Sequence, residues 1–125
     1  MEAEPIDVIA VTSDESQEVL MWRIRALWEA SKYLPIEMIP LDYFAHLLDE
    51  PQPDWCAGDA PTLRDFARHA KRIYEADLSH PVIISAEGCL LDGKHRLAKA
   101  ALLGMKEVAA VRFKQNPAPD WRRPK

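Results

Sequence analysis

The run Leu90-Leu91-Asp92-Gly93-Lys94-His95-Arg96, continued by Leu97-Ala98-Lys99-Ala100-Ala101-Leu102-Leu103-Gly104, constrains this chain more than any other stretch. It reads as the end of a strand, a tight turn at Asp92-Gly93 and a short amphipathic helix. Asp92 is a favourable N-cap residue, and Gly104 falls where a left-handed C-cap belongs. The first turn is the odd part. N-terminal N–H groups lack helical acceptors and the helix dipole is positive there, so a helix built only for stability carries acids at that end. This one carries Lys94, His95 and Arg96. An anion resolves the mismatch, because N–H groups flanked by Lys and Arg form a phosphate site. Gly93, Lys94, His95 and Arg96 are therefore the candidate phosphate-binding residues. The plainer alternative is an exposed turn whose long side chains point into water, at a cost of only about 0.3–1 kcal/mol.

Composition sets the frame for that helix. A chain of 125 residues that is 48% hydrophobic suffices for one domain with a real core and no metal or disulfide staple. Cys56 and Cys89 show no metal-type spacing, which predicts reduced thiols in an intracellular protein. There is no signal-like start and no apolar run long enough for a bilayer, so the expectation is a cytoplasmic protein with no membrane partner. The net charge of −4 is unevenly spread. Residues 1–60 hold three bases and thirteen acids (−10), residues 61–125 thirteen bases and seven acids (+6), which sum to −4. An acidic chain argues against a general nucleic-acid coat, while the positive half surrounds the anion candidate.

Along the chain, residues 4–11 read as a strand or an extended arm. Thr12 or Ser13 offers an N-cap for a helix over 16–31, on which Leu20, Ile24, Leu27 and Trp28 recur at helical spacing. Trp22 and Trp28 read as core or partner-facing residues. Residues 34–41, hemmed by prolines, suggest a short edge strand, followed by a short helix capped by Asp42 and carrying Tyr43, Phe44, Leu47 and Leu48. Glu37 falls on the polar face of that strand, where it is either solvated or a candidate general base or Mg²⁺ ligand. Residues 49–61 form a loop without regular structure, with Trp55 as its anchor or as a cover over a ligand. Thr62 and Asp65 open a further helix in capping-box style. Its apolar positions (Leu63, Phe66, Ala67, Ala70, Ile73, Tyr74) predict a core stripe, and Arg64, Arg68 and Arg72 form a row that is either solvated or a ligand or nucleic-acid face. Residues 81–85 read as a buried strand, 86–88 as a turn and 89–91 as the returning strand, with Cys89 buried in it. A last strand follows over 107–113, in a strand–helix–strand return. The Pro-rich tail from Lys114, ending in basic residues, is expected to be loosely held.

The stretch from His80 to Phe113, with its Gly turn, Asp92-Gly93-Lys94-His95-Arg96 and alanine-rich helix, resembles the ParB/sulfiredoxin superfamily. Ile39-Pro40-Leu41-Asp42 and Glu50-Pro51-Gln52-Pro53 look like that family's opening segment. The resemblance covers about residues 34–114, and it leaves 1–33 as an N-terminal arm and helix and 115–125 as a basic tail. It implies a small α+β fold, a mixed sheet with helices around it, binding nucleotide phosphates through Lys94, His95 and Arg96. It implies ATP, ADP or CTP as ligand, with Mg²⁺ as the accompanying ion. If the domain is catalytic, phosphoryl transfer or NTP hydrolysis is the natural class, with His95 on phosphate or shuttling a proton and Asp92 or Glu37 as metal ligand or base. Lys94 stands where sulfiredoxin has its nucleophilic cysteine, which argues against a sulfinic-acid reductase. Asp54 stands where partition proteins have arginine, which argues against a CTP switch, and no helix-turn-helix follows, which argues against operator binding. The competing expectation is a non-enzymatic DNA-binding or protein-interaction module. A homodimer paired through the tryptophan-bearing N-terminal helix is a further expectation.

Overall fold

The computed structural model describes residues 8–12, 18–56 and 58–124. Its elements run β1 (Val8–Thr12), β2 (Glu18–Arg23), α1 (Ile24–Ser31), β3 (Glu37–Pro40), α2 (Ala45–Leu48), α3 (Leu63–Glu75), β4 (Val82–Ile84), β5 (Leu90–Asp92), α4 (Lys94–Leu102), β6 (Glu107–Arg112) and β7 (Trp121–Pro124). Single 3₁₀ turns at Leu41–Phe44 and Pro53–Trp55 join them. This is a small α+β fold. One sheet has the order β1-β2-β7, the other β3-β6-β4-β5. No helix among the described residues is long and apolar enough to cross a membrane.

Two compact units divide the chain. The first takes residues up to Pro35, Ile83–Asp92 and Val111 onward; the second takes Ile36–Val82 and Gly93–Ala110. In the first, β2 pairs antiparallel with β1 on one side and β7 on the other. Trp22, Leu27, Ile83, Leu91, Val111 and Phe113 form its core, with Leu20 and Leu34 packed against them. The β4–β5 hairpin closes through Ser85, whose N–H donates to the Cys89 carbonyl at 2.8 Å, with Gly88 at φ 96° in the turn. In the second unit β3 pairs antiparallel with β6, Glu37 opposite Ala110, and Ile39, Phe44, Val82, Leu97, Ala100 and Val108 are buried.

Several expectations are corrected. The helix over 16–31 is a strand as far as Arg23 and a helix only from Ile24. Its Val19-Leu20-Met21-Trp22 run is apolar on successive residues and carries β-branched and aromatic side chains, which suits a strand paired on both sides. Thr12 ends β1 instead of capping a helix, while Ser13 lies outside the described residues. The tail is a paired strand: β7 sits on β2, and the Trp22 indole N–H donates to the Pro117 carbonyl at 2.9 Å. The loop over 49–61 contains the 3₁₀ turn at Pro53–Trp55. Pro40, not Asp42, precedes the turn leading into α2, and Asp42 makes no side-chain cap. Cys89 is exposed in the hairpin turn and Cys56 half-buried, both as free thiols. The stripe on α3 is the largest departure: Leu63, Phe66 and Tyr74 are 86%, 61% and 78% exposed.

Candidate functional site

Gly93, not Asp92, is the N-cap of α4, at φ 125° and ψ 18°, and the helix start takes no side-chain cap. The correction has a steric cause. A Cβ on Gly93 would lie 2.6 Å from Val82 Cγ1 and 2.8 Å from Val82 Cβ, so only glycine fits where the backbone turns against this buried strand residue. Asp92 stays in β5, in the first unit, where its Oδ2 accepts the Trp28 indole N–H at 2.9 Å. Among the described residues no group of three or more His, Cys, Asp or Glu is placed to hold a metal ion.

Lys94, His95 and Arg96 are consecutive in a helix, so their side chains leave it in three directions about 100° apart. All three are half-buried. Lys94 Nζ donates to Gln52 Oε1 at 2.8 Å, across 42 residues of sequence. The acceptor is a neutral amide, so the ammonium is anchored without being neutralised. Arg96 turns elsewhere: its Nη1 donates to the Pro81 carbonyl at 2.8 Å and to that of His80 at 3.3 Å, tying α4 to the segment before β4.

His95 is drawn into an aromatic layer. Its Nε2 lies 3.1 Å from His69 Nδ1. The two imidazoles are nearly coplanar, at an interplanar angle of 8°, and the Trp55 indole lies parallel over both, with centroids 4.3 Å from His69 and 4.6 Å from His95. Two facing ring nitrogens share one proton, since two N–H groups would collide. Burial holds the pKa of His69 below its ordinary value, and the charges of Arg72 and Arg68 add to that depression. A backbone hydrogen bond at Trp55 opposes it. The neutral form of His69 is thus favoured. One wall of the layer is α3, which begins in the expected capping box: Asp65 N–H donates to Thr62 Oγ1 at 3.1 Å and Thr62 N–H to Asp65 Oδ2 at 2.9 Å. The Thr62 backbone bond lowers the Asp65 pKa, and Asp65 also pairs with Arg68.

The groups gathered at the start of α4 are therefore Gln52, Trp55 and His69, together with Lys94 and His95. Arg68 and Arg72 reach this layer through their charge on His69, whereas Arg64 is exposed on α3. Glu37 stands exposed on β3 and is not one of these groups. Trp55 anchors its loop on the two imidazoles. His69 carried no functional expectation, and Gln52 entered only as part of the Glu50–Pro53 segment of the resemblance. His69 shares the inward side of α3 with Asp65 and Ile73, at i, i+4 and i+8, and this was the available signal. Compared with known proteins, the chain matches no family model, no curated protein and no solved structure.

Proposed function

We propose that the start of α4, with the Gln52–Trp55 segment folded onto it, binds the phosphate groups of a nucleotide. The observation that carries this is the Lys94 ammonium, half-buried beside the positive end of a helix and bonded to a neutral amide in place of a carboxylate. A phosphate oxygen is the better acceptor for it, and Gln52 is the group it would displace. Support also comes from the two segments that resemble the ParB/sulfiredoxin superfamily, since Gln52 of one bonds Lys94 of the other. Lys94 would hold phosphate, His95 would contact it or pass a proton to His69, and Arg96 would fix the helix in place. Phosphoryl transfer or hydrolysis is the reaction class this set suits, with Mg²⁺ carried largely by phosphate oxygens.

A thermal-shift series with ATP, ADP and CTP, with and without Mg²⁺, tests it. A bound nucleotide at about 100 times its Kd adds about 2.7 kcal/mol of stability. Lys94→Ala should remove that rise. No rise in the wild type, or an equal rise in the variant, overturns the reading. A second reading, a DNA-binding or protein-interaction module, draws on the exposure of Arg64, Arg68 and Arg72 along one row of α3. DNA binding through this row would fall steeply with salt and be insensitive to Lys94→Ala.

A further inference from the structure

The apolar side of α3 is uncovered. Leu63, Phe66, Ala67, Ala70 and Tyr74 fall at helical spacing on one stripe, and every one is exposed. Leu63, Phe66 and Tyr74 alone present on the order of 400 Å² of side chain, a size at which apolar patches mark interaction surfaces. The end of α3 is tied to α4. Lys99 Nζ donates to the Tyr74 carbonyl at 2.8 Å, and the exposed Leu102 and Leu103 lie one turn beyond Lys99. The polar border of α3 is basic: residues 63–75 carry Arg64, Arg68, Lys71 and Arg72 against Asp65 and Glu75, a balance of +2.

A second exposed stretch in the same unit has the opposite charge. Residues 36–50 leave Ile36, Met38 and Leu48 exposed. Their acids are Glu37, Asp42, Asp49 and Glu50, all exposed, and with no Lys or Arg in the stretch the balance is −4. We propose that the basic apolar face of α3 docks on the exposed acidic stretch 36–50 of a second copy of this chain. Charge complementarity selects this occupant. Pairing α3 with α3 joins two surfaces of net charge +2, and pairing the two 36–50 stretches joins two of −4; the crossed arrangement joins opposite net charges. Because the two surfaces are different, two copies can close reciprocally, each α3 on the other's residues 36–50, or the contact can run on into a ring or an open chain.

Sedimentation velocity over a wide concentration series on the full chain is the test. The wild type should form a dimer or a larger species, and high salt should weaken association by at least about tenfold. One variant removes the basic face (Leu63→Glu with Lys71→Glu), another the acidic face (Leu48→Lys with Glu50→Lys), each checked for native circular dichroism. Alone, each should be monomeric; mixed in equal amounts, they should form a dimer and nothing larger, since one intact contact remains. A wild type that stays monomeric overturns the proposal, as does a variant that still dimerises alone or a mixture that does not assemble. If a variant fails to fold, the wild-type salt series decides: association unchanged or strengthened by salt refutes the crossed-charge contact.

Discussion

Gly93 shows how one residue can fix where a site forms. Its positive φ is costly for any residue with a Cβ, and the space a methyl group needs is filled by Val82. Gly93→Ala should therefore lower stability by about 2–4 kcal/mol, combining backbone strain with overpacking, as read from urea unfolding. A second consequence at this scale concerns pH. The folded state holds the His69 pKa below 6.5, so the unfolded chain takes up that proton first as pH falls. The stability contribution is complete above the unfolded value and is lost on acidification through it. Urea midpoints should thus drop between about pH 7.5 and about pH 5.5, and His69→Gln should flatten that slope. The sequence placed both Gly93 and His95 at the start of the helix. It did not single out His69, because a histidine's meaning depends on which ring faces it, and here the ring belongs to a residue 26 positions away.

Among the elements, α3 separates what periodicity determines from what it leaves open. A 3.6-residue repeat groups Leu63, Phe66, Ala70 and Tyr74 on one side, and the capping box fixes where the helix begins. The repeat does not say which side is covered. Here the inward side is the narrower one bearing Asp65, His69 and Ile73, whose residues are buried or half-buried. Truncation should report the difference. Leu63→Ala should change stability by no more than about 0.5 kcal/mol. Leu97→Ala, at a buried position of α4, should cost about 2–5 kcal/mol. Thermal or urea unfolding of the monomeric protein checks both. β2 is the converse case. Its apolar run fits a strand or a helix, and the choice falls to strand because β1 and β7 both pair with it.

For the molecule as a whole, the tail is a structural part. β7 closes one side of β2, Arg23 N–H donates to Asp120 Oδ2 at 2.8 Å over 97 residues, and Asn116 accepts from Ala86 N–H while donating to Glu87. Removing residues 115–125 strips the Trp22 indole of its Pro117 acceptor and leaves β2 with one bare edge. The melting temperature should fall by about 4–8 °C for each kcal/mol lost, with at least one such step in calorimetry. Composition gave no hint of this, since Pro-rich basic termini are commonly loose. What ties this one down is a set of partners distant in sequence, in β2 and in the β4–β5 hairpin.

Local chemistry alone determined the hairpin over β4 and β5, the helix from Lys94, the left-handed Gly104 and the strand that follows. Turn residues, caps and short-range periodicity act within a few residues of one another, and those interactions survive in any context the chain finds. The tertiary structure alone decided which surface of α3 is hidden, which strand receives the tail, and which side chains meet Lys94 and His95. Each of those outcomes is set by contacts between segments distant in sequence, whose free energy exists only once the chain has folded.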